Sequence, residues 1–386
     1  MTTLAPLLHL AALLAAVSPI DDEPKVDPPP PPLAARFEAL KRKYIAREKS
    51  FYEELTAANS LEAAARDKKI TDENERFWVD HRAINDEVRA LIRANRADPA
   101  ALEGLILLPS VMNSFLDDDL VQIVRDHFLN DPRMGMLCAD LRIDGPQGDL
   151  LSDVSRDHSD RAVRAQAAYS LALGRRFAAE KRAGSDEAAR DANLKRAEEG
   201  FRRVVAEFSD VDSADGAFRL ADRARAELDR IANLPNLVVG KVAPEIVGEG
   251  LDGRPLKLSD HRGKVVVLVF WATWCGPCMA MVPHERELYE RMRGRPFALL
   301  GVNGDSDEDR EKVHRTVAEK EMAWPSWWDG SRLIQTAYDV PHWPRIFVID
   351  PTGVIRHIDV RGEKLDRAVD ELLSEAGLPE PTASPR

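Results

Sequence analysis

Apolar residues recur at threes, fours and sevens through the first long stretch of the chain. Leu33, Phe37, Leu40, Tyr44, Phe51 and Leu55 form one stripe of an amphipathic helix. Phe77, His81, Ile84, Val88 and Leu91 repeat the pattern, and the two segments predict a helical hairpin. His81 lies on the stripe, where a lone helix histidine predicts packing rather than ligation. Residues 98–142 carry "LEGLILLPSV" and "LVQIVRDHFL", with Pro109 expected to end or kink a helix. The helical pattern runs from Leu33 to about Asn233. It breaks in 233–264, where Pro235, Pro244, Gly250 and Gly253 punctuate short apolar runs and "LDGRPLKL" reads as a turn into a strand. Beyond it, strands and helices alternate. Val265 to Phe270 is an unbroken apolar run, the mark of a strand buried on both faces. A helix over about 276–292, a strand over 296–303 and a helix over about 307–321 follow. Then come two strands, "RIFVID" and "VIRHIDV", joined at "PTG", and a helix from about Glu363 to Ala376. The prediction is an all-helical domain followed by an α/β sheet with helices on both faces.

The ends alter the picture. Leu4 to Ile20 is apolar except for His9 and Ser18, and short of the roughly 20 residues of a spanning helix. It reads as a signal peptide or N-terminal anchor over 1–20, although "MTT" before it carries no Lys or Arg. Export to the periplasm or the outer face of the cytoplasmic membrane follows. Residues 21–32 read as a Pro-rich linker, 33–233 as the helical domain, 234–378 as the α/β domain and 379–386 as a disordered tail. With 386 residues, 44% hydrophobic and 31% charged, the chain has room for two or three folded domains. Its net charge of −12 excludes nucleic acid as a main partner, because phosphate binding needs a basic face.

Two of the three cysteines, Cys275 and Cys278, stand in "FWATWCGPCMA" with only Gly276 and Pro277 between them. A metal site needs about four ligands. There is no second cysteine pair, and His284, six residues past Cys278, is poorly spaced. No metal or other cofactor is called for. Simple packing does not explain the position, where a buried strand hands over to a helix. Gly276 and Pro277 suit a first helical turn, because proline lacks an N–H that would have no partner there. Cys275 then sits at the helix N-terminus, where free N–H groups and the helix dipole favour a thiolate. Cys278 lies one turn inside on the same face. Nucleophile and resolving thiol are thus supplied together. The third cysteine, Cys138 in "MGMLCADL", reads as a packed thiol.

These residues carry a resemblance. "VVVLVFWATWCGPC", Pro283 and "WPRIFVIDPTGVI" resemble the thioredoxin superfamily. With "VVGKVAPEI" and "LDGRPLKLSDHRGKVVVLVFW", the chain is most similar to its TlpA/ResA-like exported thiol–disulfide oxidoreductases, over about 240–377. The resemblance implies a thioredoxin-like domain with a central mixed sheet. It implies an exposed nucleophile at Cys275, a buried resolving thiol at Cys278 and a redox-active disulfide between them. It also implies a cis bond at Trp343–Pro344, with the Trp343 backbone free for an extended substrate segment. Substrate contact falls to Trp274, Gly276, Pro277, Trp343 and Pro344; Trp271 matches a packing aromatic and Pro283 a helix kink. The implied partners are protein disulfides or dithiols and a membrane electron donor. Residues 161–208, with "RAQAAYSLALGRRF" and "AEEGFRRVVAEFSD", resemble one tetratricopeptide-like helix pair with an insertion at about 181–193. Helical packing is the first reading of that pair, a concave peptide surface the second.

The departures are specific. Relatives carry an acid where this chain has Val269, and some carry a glutamate where it has Met281. Both groups would handle the proton of the second thiol, which leaves His342 or water for it. Arg345 replaces a common threonine and raises the expectation of acidic substrates. A peroxiredoxin-like peroxidase needs Thr-x-x-Cys, whereas Thr273 is only two residues before Cys275. A third reading makes the helical half a scaffold for a partner, with an accessory redox domain.

Overall fold

The computed structural model describes residues 30–143, 145–181 and 186–377. The signal or anchor expected over 1–20, most of the Pro-rich linker and the tail at 379–386 lie outside the described residues. No helix among the described residues is long and apolar enough to cross a membrane.

The first half is helical throughout. Helices α1 (Leu33–Ala58) and α2 (Ala63–Ala94) form the expected hairpin. Phe37, Leu40, Tyr44, Ile84, Val88 and Leu91 bury their stripes in one core with α3 (Ala101–Ser110), α4 (Asp118–His127), α5 (Met134–Asp140) and α6 (Pro146–Asp157). His81 packs among Tyr44, Phe77 and Trp78, and its Nε2 lies 3.1 Å from the Met112 carbonyl oxygen. Pro109 takes the next-to-last place of α3. Cys138 is fully buried in the core, and burial pushes its thiol up to about 12.

Helices α7 (Arg161–Lys181) and α8 (Glu187–Glu207) pack as a pair, with α9 (Leu220–Asn233) beside them. Tyr169, Ala172, Phe201 and Val204 fill their core. The insertion expected at about 181–193 is far shorter, because α8 starts at Glu187. Asp186 caps it, accepting the Ala189 N–H at 3.0 Å and satisfying one of the free donors of the first turn. The charged first turns of α8 hide that start from a reading of apolar spacing.

The second domain opens with a hairpin of β1 (Val247–Glu249) and β2 (Pro255–Lys257). Its central sheet has the order β5-β4-β3-β6-β7. The strands are β3 (Val265–Trp271), β4 (Phe297–Asn303), β5 (Ser326–Trp328), β6 (Arg345–Ile349) and β7 (Ile355–Ile358). Strands β3, β4 and β5 run parallel, while β6 is antiparallel to β3 and β7 to β6, so the sheet is mixed. Alternate residues of β3 point to opposite cores. Val265, Val267, Val269 and Trp271 meet α10 (Gly276–Arg291), α11 (Arg310–Glu319) and α13 (Glu363–Glu375). Val266, Leu268 and Phe270 meet Leu237, Ile246, Leu258 and Tyr338, on the side of the short α12 (Leu333–Ala337). The expected two-sided cover is therefore uneven: three helices on one face, and on the other the lead-in segment with one short helix.

Helix α9 lies on α12 and joins the two halves. Arg230 Nη2 reaches Asp339 Oδ1 at 2.5 Å, Arg223 donates to the Thr336 hydroxyl at 3.3 Å, and Asn233 Nδ2 donates to the Ala337 carbonyl at 3.1 Å.

Candidate active site

Strand β3 ends at Trp271, and α10 begins after four intervening residues, at Gly276. Cys275 is the N-cap of α10: its backbone is extended, and its sulfur accepts the Cys278 N–H at 3.1 Å. A disulfide joins Cys275 to Cys278 across a Cα–Cα distance of 5.2 Å. Gly276 and Pro277 fill the first two helical positions. The implied contrast between an exposed and a buried cysteine is absent from this oxidised pair, where Cys275 is 4% and Cys278 3% exposed. Bonded to Cys278, the Cys275 sulfur is folded back over the first turn and cannot project.

The loop before the pair is held by a carboxylate that sequence reasoning missed. Asp305 is fully buried just past β4; it accepts the Thr273 N–H at 2.8 Å and also the Thr273 hydroxyl. Asn303 Nδ2 donates to it at 2.8 Å. The available signal was positional. Strands β3 and β4 are parallel neighbours, so "NGD" after β4 must lie beside "ATWC" after β3.

The opposite wall comes from β6. Phe270 pairs with Arg345, which sets Trp343 and Pro344 beside the end of β3. The Trp343–Pro344 bond is cis, as the resemblance implies. Trp343 meets Trp274 edge-on, with ring centroids 5.6 Å apart, and Trp274 is 54% exposed. The structure thus gathers Trp274, Cys275, Gly276, Pro277, Cys278, Trp343 and Pro344 in one place. Trp271 is buried in the core, and Pro283 lies inside α10.

Val269 is buried and Met281 packs on the same core, so neither position offers a carboxylate. His342 Nε2 lies 3.5 Å from Asp359 Oδ2 in an exposed loop. Arg345 gives no structural support to the expectation of acidic substrates. Its guanidinium is ion-paired with Asp359 and lies 5.0 Å from the Phe347 ring centroid, so its charge is answered inside the protein. His284 pairs with Asp366 at 2.9 Å, and this contact with Arg291 holds the carboxyl of Asp366 below its usual range despite burial. One acid does share the buried face of α10 with Cys278, seven residues on: Glu285, whose carboxyl burial pushes up to about 7.

The AhpC/TSA family matches residues 239–358. The thiol-disulfide oxidoreductase ResA of Bacillus thuringiensis subsp. konkukian is 33% identical over 138 residues, which are 36% of this chain and 78% of that protein. The chain belongs to the ResA thiol–disulfide oxidoreductases. A second ResA, from Bacillus subtilis, is 34% identical over 116 residues, 30% of this chain and 64% of its own length. A solved thioredoxin domain of a thiol-disulfide oxidoreductase from Bacteroides vulgatus is 28% identical, with a TM-score of 0.33, covering 35% of this chain and 96% of its own. This ResA relative is thus an oxidoreductase whose likeness to these proteins covers about a third of its length.

Proposed function

We propose that the chain reduces protein disulfides outside the cytoplasm, with Cys275 as nucleophile and Cys278 as resolving thiol. The observation that supports this best is the Cys275 sulfur at the N-cap of α10, accepting the Cys278 N–H. A thiolate there gains a hydrogen bond and the helix dipole, both of which favour the reactive form. In the first step the Cys275 thiolate attacks one substrate sulfur. The substrate S–S bond breaks, a substrate thiolate leaves, and a mixed disulfide forms. Cys278 then loses its proton to water and attacks the Cys275 sulfur. The second substrate thiolate leaves, and two electrons have passed from the enzyme dithiol to the substrate. The product is the Cys275–Cys278 disulfide. Trp274, Gly276, Pro277, Trp343 and Pro344 form the substrate contact, with the Trp343 main chain pairing to an extended segment. Regeneration requires an external dithiol donor at the membrane, consistent with an exported N-terminus.

Gly276-Pro277 is the dipeptide of reducing thioredoxins, which gives the direction. The test is the reduction potential of the pair in the full chain, by equilibration with glutathione and dithiothreitol. A value near about −270 mV supports a reductase, whereas one near about −120 mV makes the chain an oxidant. The peroxidase reading has mild support from the AhpC/TSA match, but the Thr273 hydroxyl is engaged by Asp305. Peroxide consumption with the reduced chain separates the two.

A further inference from the structure

The turn that follows β7 is fastened to the start of β6 and to the residue before it. Asp359 Oδ1 accepts the Ile346 N–H at 3.1 Å, and the Asp359 N–H donates to the Ile346 carbonyl at 2.8 Å. The other oxygen of Asp359 holds the Arg345 guanidinium. Val360 packs on the core that contains both cysteines. Arg361 Nη2 then donates to the Pro344 carbonyl at 3.0 Å. Asp359 has a φ of 57°, an uncommon left-handed conformation that these contacts must hold.

We propose that Arg361 is a positioning residue for the thiol–disulfide reaction: through the Pro344 carbonyl it sets the direction of the Trp343 main chain, on which a polypeptide substrate pairs. The inference rests on the thiol–disulfide reading above and deepens it.

The direction follows from alternation. In an extended strand the N–H and C=O of one residue point to one neighbouring strand, and those of the next residue to the other. Ile346 faces Asp359, on the β7 side. Pro344, two residues earlier, faces Arg361 on that same side. Arg345 lies between them and pairs with Phe270 of β3. One step further back, the Trp343 main chain faces as Arg345 does, towards the end of β3 and the Cys275 loop. Among the described residues, none hydrogen-bonds to the Trp343 N–H or carbonyl. A charge-assisted bond on the far side of Pro344 thus fixes the wall without occupying the face that meets substrate. Arg361 is exposed and, among the described residues, has no carboxylate partner, so its polar contact is spent on this wall.

The test uses the full chain, reduced, in single turnover, with disulfide formation followed by tryptophan fluorescence. Two substrates are compared: insulin, and bis(2-hydroxyethyl) disulfide, which is small, uncharged and has no main chain to pair with Trp343. Arg361→Met should lower the preference for insulin over the small disulfide about tenfold, through the half-saturating concentration of insulin rather than its limiting rate, as the loss of one charge-assisted hydrogen bond at the wall allows. Arg361→Lys, whose ammonium can still donate to Pro344, should restore most of that preference. The reduction potential should be the same in all three chains. An unchanged preference in Arg361→Met, an equal loss on both substrates, or no recovery in Arg361→Lys overturns the proposal, and an equal loss with a lower urea midpoint marks Arg361 as merely structural. If the unmodified chain reduces neither substrate, the disulfide-reductase reading itself fails, which failure of the Arg361 variants alone does not imply.

Discussion

The indole of Trp343 lies over the bare Cα of Gly304. A Cβ added at Gly304 would stand 2.4 Å from Trp343 Cη2, and real side chains do not approach that closely. Gly304→Ala is therefore expected to push Trp343 off Trp274. The cost in stability is about 1–3 kcal/mol, as for other overpacked sites, with a larger proportional loss in kcat/KM on protein disulfides than on glutathione. Adding Trp343→Leu relieves the clash, so the two substitutions together should cost less stability than their sum, read from urea midpoints.

The two cysteines are expected to fail in different ways. Cys275→Ser should reduce protein-disulfide exchange by about a hundredfold or more, since the thiolate that attacks the substrate is lost and only the buried Cys278 thiol remains. Cys278→Ser should keep the first step and accumulate mixed disulfides, visible as higher-mass species on non-reducing gels that collapse with dithiothreitol.

Glu285 predicts a pH dependence. Burial lifts its carboxyl from 4.5 to about 7, so between those values the folded chain holds a proton that the unfolded chain has released. Stability from this group is full below the unfolded value, falls as pH rises towards about 7, and is level above it. Glu285→Gln removes the change. The variant should gain on the order of 3 kcal/mol relative to the parent between pH 4 and pH 8, followed by urea unfolding across that range. A constant difference at every pH would contradict the assignment.

Arg230 ties the domains through Glu180 and Asp339. Arg230→Met should cost about 1–3 kcal/mol, between an exposed pair and a fully buried one, because both carboxylates keep water contact. Six of the seven tryptophans follow residue 234, so fluorescence follows the redox domain and far-UV circular dichroism mostly the helices. In the parent the two midpoints should coincide; in the variant they should separate.

The fold was largely legible because its signals are local. The stripe from Phe37 to Leu91, the unbroken run at Val265 and the "CGPC" turn each encode an element within a few residues. What escaped depends on register or on distance along the chain. Asp305 reaches Thr273 only because β3 and β4 are parallel neighbours. Arg345 looked free in sequence, yet Asp359, brought back by β7, neutralises it. The start of α8 was missed because a capping Asp186 and charged first turns carry no apolar period. The tie of Arg230 to Asp339 needs the docking of α9 on α12, which no motif announces.

Cys138 has one more consequence. Three cysteines allow three pairings, two of which would link the redox pair to the helical domain. Burial denies Cys138 both a thiolate and a route to the other sulfurs, since its core must open before the thiol can ionise. Packing of the helical core is thus also a safeguard of disulfide fidelity: while α5 stays folded, the enzyme that exchanges disulfides has a single partner sulfur for Cys275 within its own chain.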